Sequence, residues 1–467
     1  MRQKHKGKII SVEIEGFSKK GNGLGHCDLW TVEVPFTMKG DCVQASLLQK
    51  RRGRFKAKLE EVESPASNRI GSKCEHFGLC GGCRWQHVPY EAQLEEKRDR
   101  VKHHYGDLWD SIQTFPIIPC DPPWNYRNKM EFSFSSDAAG TRYLGLMMEG
   151  GKGRVFHLTE CHLCSPWFVE TLKAVREWWN QSTLDAYHPY RNTGALRTLT
   201  LREGIRTGDK MVILTVSGNP DYALIKEQVQ SFVQAVDFGN HSTSIFLRIH
   251  QIMKGQPTQF YEMLLKGPEH IEEQLTVFGK TMRFKVSPSA FFQPNTRQAE
   301  KLYQRALEMA DIQKEDVVYD LYCGTGTLGL CAAQKAARVV GVELVPEAIL
   351  DARENAKLND CENIEFFKGS VSDILAQLAL DDEIPRPDIV LVDPPRAGLD
   401  QKSLDHLCRL NPRTIVYVSC NPATQAENVQ ELLKAGYRLE LCQPVDQFPH
   451  TVHIENIVVL KRSSHEI

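Results

Sequence analysis

From Gln298 onward the chain alternates apolar strand-like runs with helix-like stretches, and this regularity restricts the fold more than any other feature. A helix expected over Gln298–Ala310 precedes Val317-Val318-Tyr319-Asp320-Leu321, which runs into Tyr322-Cys323-Gly324-Thr325-Gly326-Thr327-Leu328-Gly329. That is a strand, a glycine-rich turn and a helix start. Val339–Glu343, a helix from Pro346, Ile364–Phe367, Asp388–Asp393, the run Ile415–Ser419 and two final strands continue the pattern. Such alternation calls for a doubly wound α/β sheet, which binds ligands at the carboxyl ends of its strands.

Gly324, Gly326 and Gly329 match the spacing of a dinucleotide-binding turn, with Glu343 in range of a ribose diol. Two features turn the reading from a dinucleotide toward S-adenosylmethionine. Asp320 stands just before the turn, where a carboxylate meets a cationic ligand that lacks phosphate. Asp393-Pro394-Pro395-Arg396 ends the fourth strand, where nucleobase methyltransferases carry an acid followed by two prolines. Methylation of amino groups usually places an aromatic after the prolines, to stack on the base. Here Arg396 follows instead, and the next strand delivers Cys420 in Ser419-Cys420-Asn421-Pro422.

A lone cysteine at a strand end is more often a small core residue than a nucleophile. Beside an S-adenosylmethionine site it suits C5 methylation of a pyrimidine, because a thiolate adding to C6 makes C5 nucleophilic. A base must then take the C5 proton. His450-Thr451-Val452-His453-Ile454-Glu455 supplies Glu455 as the preferred candidate and His450 or His453 as alternatives.

Three thiols crowd Cys74–Cys83, at Cys74, Cys80 and Cys83, in a glycine-rich stretch. Cys161 and Cys164 are the candidates for a fourth ligand. Four thiolates fit zinc or an iron–sulfur cluster, and three close cysteines with one remote favour the cluster.

The first sixty residues read as short strands separated by turns, hence a small barrel. They hold thirteen Lys and Arg against six Asp and Glu, concentrated in Lys50–Lys58, whereas the whole chain carries a formal charge of only −2. A local basic barrel with aromatics suits RNA contact, and no bulk polyanion signal exists. Between the cysteines and the alternating half lies an α+β region. It contains a charged helix over Tyr90–Tyr105, a helix over Trp167–Trp179, and strands over Met211–Val216 and Ser244–Ile249. Tyr126–Phe132 reads either as a base-stacking surface or as a mixed edge strand. The basic start, Met1–Lys6, lacks a following apolar segment, and no run approaches bilayer length. A cytoplasmic protein without membrane association is expected, its fourteen cysteines serving as free thiols and metal ligands.

Taken in order, these motifs together with Phe291-Phe292-Gln293-Pro294-Asn295 resemble the RNA (uracil-5-)-methyltransferases, over essentially the whole chain, and most of all the branch that modifies 23S ribosomal RNA. The resemblance implies a multidomain α/β protein. An OB-like TRAM barrel would occupy 1–63, and an iron–sulfur cluster with a central α+β RNA-binding domain 64–290. A Rossmann-like class I methyltransferase domain would occupy 291–467, with the helix near 88–115 packing on it. It implies a [4Fe–4S] cluster on Cys74, Cys80, Cys83 and Cys161, with Cys164 a bystander. Cofactor contacts would fall on Gln293, Tyr322, Thr327, Glu343, Ser370 and Asp393, Ser370 standing where Asn or Asp is expected. Cys420 would be the nucleophile and Glu455 the base. The implied partner is 23S rRNA, at a site of the uracil(1939) type, served by a monomer. The rival readings are the same chemistry on the T-loop uridine of tRNA, a non-catalytic metal-stabilised RNA-binding protein, and a cytosine C5 methyltransferase. The last would carry a cysteine where Arg396 stands.

Overall fold

The computed structural model describes residues 6–27, 30–239, 242–252, 255, 258–380 and 383–463. Most of the basic N-terminal run, Met1–His5, lies outside them. Strands Ile9–Phe17, Gly23–Cys27, Trp30–Val34, Cys42–Arg51 and Arg54–Ser64 close into a barrel. Its alternation is strict where it matters: Ile10, Val12 and Ile14 point inward to meet Val32, Val34, Val43, Leu47 and Phe55. Lys50 reaches over the rings of Trp30 and Phe55, so the basic tip is also an aromatic one.

A second body is a six-stranded sheet ordered Gln259–Lys266, Thr243–Gln251, Lys210–Ser217, Leu196–Glu203, Lys129–Ser136, Arg142–Gly145. Helices Pro166–Gln181 and Lys226–Val236 cover one face through Phe168, Leu172, Trp179 and Phe232. Lys129–Ser136 sits between two other strands, with Met130 and Phe132 buried. Tyr126 is buried as well. The Tyr126–Phe132 stretch is therefore neither an open stacking surface nor an edge strand. Met130 and Phe132 pack toward the helices because alternate side chains of an internal strand face them, whereas Tyr126, before the strand, packs with Cys83, Cys120 and Leu163.

The third body is an eight-stranded sheet ordered Ile364–Lys368, Arg338–Glu343, Val317–Leu321, Ile389–Val392, Thr414–Ser419, Glu455–Arg462, Tyr437–Val445, Gln113–Thr114. The first five strands are parallel, and Glu455–Arg462 inserts antiparallel beside Thr414–Ser419. Strands such as Ile389–Val392 are apolar throughout because helices cover both faces. Two segments from earlier in the chain join this body. Helix Tyr90–Tyr105 buries Val101 and Tyr105 in its core, and Gln113–Thr114 extends the sheet edge. The hairpin of Ile271–Val277 with Lys280–Val286 shares one core with helix Thr296–Ala310. The border expected at 290 thus falls inside a packed unit.

Candidate active site

Val317–Leu321 is flanked by strands whose connections leave in opposite directions, so its carboxyl end opens the crevice of the sheet. The chain turns there through Tyr322, Gly324 and Gly326, all with positive φ, into helix Thr327–Ala333. Gly326 has φ of 80°, and a side chain there would press on the Phe366 ring at 3.0 Å. Asp320, buried beneath the turn, accepts the N–H of Gly329 at 2.7 Å. Glu343, ending the neighbouring strand, accepts from Gly324 N–H at 3.1 Å and from Val345 N–H at 2.8 Å. The turn is therefore held by two carboxylates from below and beside.

Those carboxylates crowd one another. Burial pushes Asp320 up to about 8, and the charges of Asp393 and Glu343 add to the effect. Burial likewise lifts Asp393 to about 7. Glu455 is raised by burial and then by Asp393, with Arg396 pulling the other way. A rim on which Asp320, Asp393 and Glu455 all hold their protons above the usual carboxylate range is suited to a cationic ligand, whose charge relieves them.

The other expected cofactor residues are spread along this rim and behind it. Tyr322 is half-buried beside Ser403. The Thr327 hydroxyl is buried against Tyr303 OH at 3.2 Å. Ser370 caps helix Val371–Leu378, accepting from Asp373 N–H at 3.2 Å and donating to the Asp373 carboxylate at 2.6 Å. Gln293 faces the loop before Glu455, its side-chain oxygen accepting from Gln447 Nε2 at 3.3 Å.

Cys420 follows the buried strand Thr414–Ser419 and is itself half-exposed. Asn421 caps the next helix, Pro422–Lys434, so the thiol sits at a positive helix end, which favours a thiolate. Asn421 Nδ2 also donates to the Arg396 carbonyl at 2.9 Å, and Thr424 Oγ1 does so at 3.2 Å. These bonds tie the cysteine turn to the Asp-Pro-Pro-Arg loop. Ser419 pairs with Asn456 across antiparallel strands, so Cys420 and Glu455 come next in the same register. Burial and the Glu455 carboxylate push the thiol up, whereas Arg396 draws it down through charge and a hydrogen bond.

The alternatives to Glu455 have different surroundings. His453 Nδ1 accepts from the Arg396 guanidinium at 2.9 Å, and burial with that cation depresses the ring to about 4. His450 is buried, stacked on Trp124 and depressed to about 3. Neither ring readily takes up a proton.

On the far side of that loop, Cys74, Cys80, Cys83 and Cys161 line one cavity of about 370 Å³, with Arg127 and Lys129 among its walls. Among the described residues no three His, Cys, Asp or Glu side chains converge on a point that would hold a single metal ion. Cys164 is buried in the core of the central sheet, outside the cavity lining, its Sγ turned to the Cys161 carbonyl at 3.8 Å.

Residues 261–463 match the family model described as tRNA (Uracil-5-)-methyltransferase. An uncharacterized RNA methyltransferase of Protochlamydia amoebophila is 52% identical over 441 residues, covering 92% of this chain and 99% of the relative. The chain belongs to the RNA (uracil-5-)-methyltransferase family. It is accordingly an S-adenosylmethionine-dependent methyltransferase of RNA. An uncharacterized RNA methyltransferase of Porphyromonas gingivalis is 36% identical, with 97% of this chain and 100% of the relative covered. Among solved structures, the tRNA (uracil-54, C5)-methyltransferase of Pyrococcus abyssi, in complex with S-adenosyl-L-homocysteine, matches with a TM-score of 0.74 at 25% identity. That match covers 97% of this chain and all of the other. Among the described residues no helix is long and apolar enough to cross a membrane.

Sequence reasoning missed the part played by Arg396 as a cation acting on both Cys420 and Glu455, having read it only as the absence of an aromatic or a cysteine. It also missed Gln93, Lys97 and Asp446, buried polar groups behind the loop. Their positions on a charged-looking helix and an unremarked turn carry no local signal.

Proposed function

We propose that the protein methylates C5 of a uridine in 23S rRNA through a covalent enzyme–RNA adduct. The observation that supports this is the register that brings Cys420 and Glu455 next to each other at the acidic rim, with Arg396 drawing both toward their ionised forms. The Cys420 thiolate adds to C6 of the flipped-out base, and the electron pair moves to C5 and O4. C5 then takes the methyl group that S-adenosylmethionine supplies. Glu455 removes the C5 proton, the C5–C6 double bond reforms, and the C6–S bond breaks to return the thiolate. In this reading Gln293, Tyr322, Thr327, Glu343 and Asp393 face the cofactor, and Ser370 lines its far end from a capping position.

The four cavity cysteines fit a [4Fe–4S] cluster. Four thiols line a single cavity of about 370 Å³, and an all-thiolate set of four is the ligand chemistry of such a cluster. Cys74, Cys80, Cys83 and Cys161 would hold the cluster, which would supply a structural anchor between loops. The basic barrel and the central sheet would carry RNA on a monomeric enzyme.

A second reading, the T-loop uridine of tRNA, is favoured by the full-length match to a tRNA enzyme. Methyl transfer from labelled S-adenosylmethionine to unmodified 23S rRNA and to unmodified tRNA, with the product mapped, separates the two. Label at C5 of a 23S uridine supports the first reading, and label in the T-loop moves the substrate to tRNA. Label on neither RNA overturns both.

A further inference from the structure

The loop that leads into Glu455 is held from two sides. From one side helix Tyr90–Tyr105 grips it: Lys97 Nζ donates to the Asp446 carboxylate at 2.5 Å and to the Phe448 carbonyl at 3.0 Å. Tyr90 OH donates to the other Asp446 oxygen at 2.7 Å. Gln93 Oε1 accepts the His450 N–H at 2.9 Å, while its amide donates to the carbonyls of Trp85 and Val88, both at 2.9 Å.

From the other side come the cysteine loops. The N–H groups of Arg84 and Trp85, directly after Cys83, donate to the His450 carbonyl at 2.8 and 3.2 Å. Trp124 stacks on the His450 ring at 3.7 Å, and Tyr126 OH donates to the Pro449 carbonyl at 3.1 Å. Residues 125 and 127 are in turn pinned to the loop of Cys161, their N–H groups donating to the carbonyls of His162 and Leu163 at 2.9 and 2.7 Å. His450 itself has φ of 63°, a conformation that a non-glycine residue keeps only when its surroundings impose it.

We infer that the loop 446–453 is a clamp through which the cysteine-lined cavity sets the position of Glu455, with Gln93, Trp124 and His450 as positioning residues. Main-chain bonds from the residue after Cys83, and side chains anchored beside Cys161, converge on the His450 peptide five residues before Glu455. Integrity of the cavity therefore controls proton removal from C5, the last chemical step, more than it controls methyl transfer or RNA capture. This inference rests on the assignment of Glu455 given above.

The test uses the full-chain protein carrying its cluster and whichever RNA the wild type methylates. Gln93→Leu and Trp124→Leu are each compared with wild type for turnover, for covalent RNA adduct on denaturing gels, and for dissociation constants of S-adenosylmethionine and RNA. Turnover is expected to fall about tenfold or more, adduct to accumulate, and both dissociation constants to stay within about twofold, the pattern of a lost late step. Gln93 is buried and its variant can fail to fold; Trp124 is partly exposed, so its variant keeps the test open. In parallel, amide hydrogen exchange over 446–455 is measured for wild type and for Cys83→Ser. Faster exchange there in Cys83→Ser supports the clamp. Exchange that quickens only around 74–85, or folded Gln93 and Trp124 variants with normal turnover and no adduct, overturns it. If the wild type methylates no RNA, it is the functional reading that fails, and the exchange measurement still decides the clamp.

Discussion

The guanidinium of Arg396 donates to Nδ1 of His453 at 2.9 Å, which fixes that ring in the tautomer whose Nδ1 is an acceptor. The same cation lowers both the Cys420 thiol and the Glu455 carboxyl, opposing the burial that raises them. Arg396 is thus a charge in the rim that favours the ionised forms of both reacting groups. Arg396→Met is expected to slow single-turnover methylation by about 10- to 100-fold. It should also move the rising limb of the pH–rate profile to higher pH, because the thiolate then forms later. Arg396→Lys should recover part of the rate, since charge returns without the fork that holds His453. An unchanged profile in Arg396→Met would remove the residue from this role.

The crowded acids make the ligand-free protein pH-sensitive. An aspartate in the unfolded chain titrates near about 4, whereas folded Asp393 and Asp320 are raised to about 7 and about 8. The folded state therefore holds more protons than the unfolded state between these values, and stability falls as pH rises through that window. Each group contributes at most about 1.4 kcal/mol per pH unit. Asp320→Asn should flatten the decline of melting temperature between about pH 5 and pH 8. S-adenosylmethionine, being cationic, should bind wild type more tightly as pH rises and release protons on binding. Calorimetry in buffers of different ionisation heat measures that release; proton uptake would contradict the electrostatic account.

Gly326 joins two demands, a left-handed backbone and a close approach to Phe366 at 3.0 Å. Gly326→Ala meets neither without strain. The conformational cost of about 1–2 kcal/mol adds to an overpacking cost of about 1–3 kcal/mol. Loss of stability in chemical denaturation and weaker S-adenosylmethionine binding are both expected, whereas Gly53→Ala, at an open hairpin tip, should leave binding unchanged.

How much of this was legible depends on the range of the interactions. The glycine turn, Asp320, Asp393 and Cys420 announce themselves locally, because strand ends and turns require particular residues within a few positions. The parallel sheet was legible from its short apolar runs, such as Ile389–Val392, alternating with helix-like stretches. The pairing of Cys420 with Glu455 was not, since it depends on the last strand inserting antiparallel beside Thr414–Ser419. Tyr126–Phe132 misled because aromatic and basic residues in sequence do not tell which face of a strand is covered. The packing of helix Tyr90–Tyr105 on the catalytic body, made through Val101 and Tyr105, was expected from the resemblance alone, since the buried Gln93 and Lys97 give the helix a charged look with no apolar stripe.

Lys97 is the sharpest case of such a hidden contact. Its side chain and that of Asp446 are both fully buried and lie 2.5 Å apart, some 350 residues apart in sequence. Burial draws the lysine down from its ordinary value, and Asp446 opposes that through its charge and a hydrogen bond. Removing one partner leaves the other as an uncompensated buried charge, which costs about 3–5 kcal/mol. Lys97→Met should therefore be far more damaging than an ordinary helix substitution, and should loosen the Phe448 carbonyl that Lys97 also holds. The double variant Lys97→Met with Asp446→Leu removes both charges and should recover much of the loss, leaving Tyr90 without its acceptor as the remaining defect. Denaturant midpoints for wild type, both single variants and the double variant give the coupling. Additive losses would mean that the pair does not act as a unit behind the Glu455 loop.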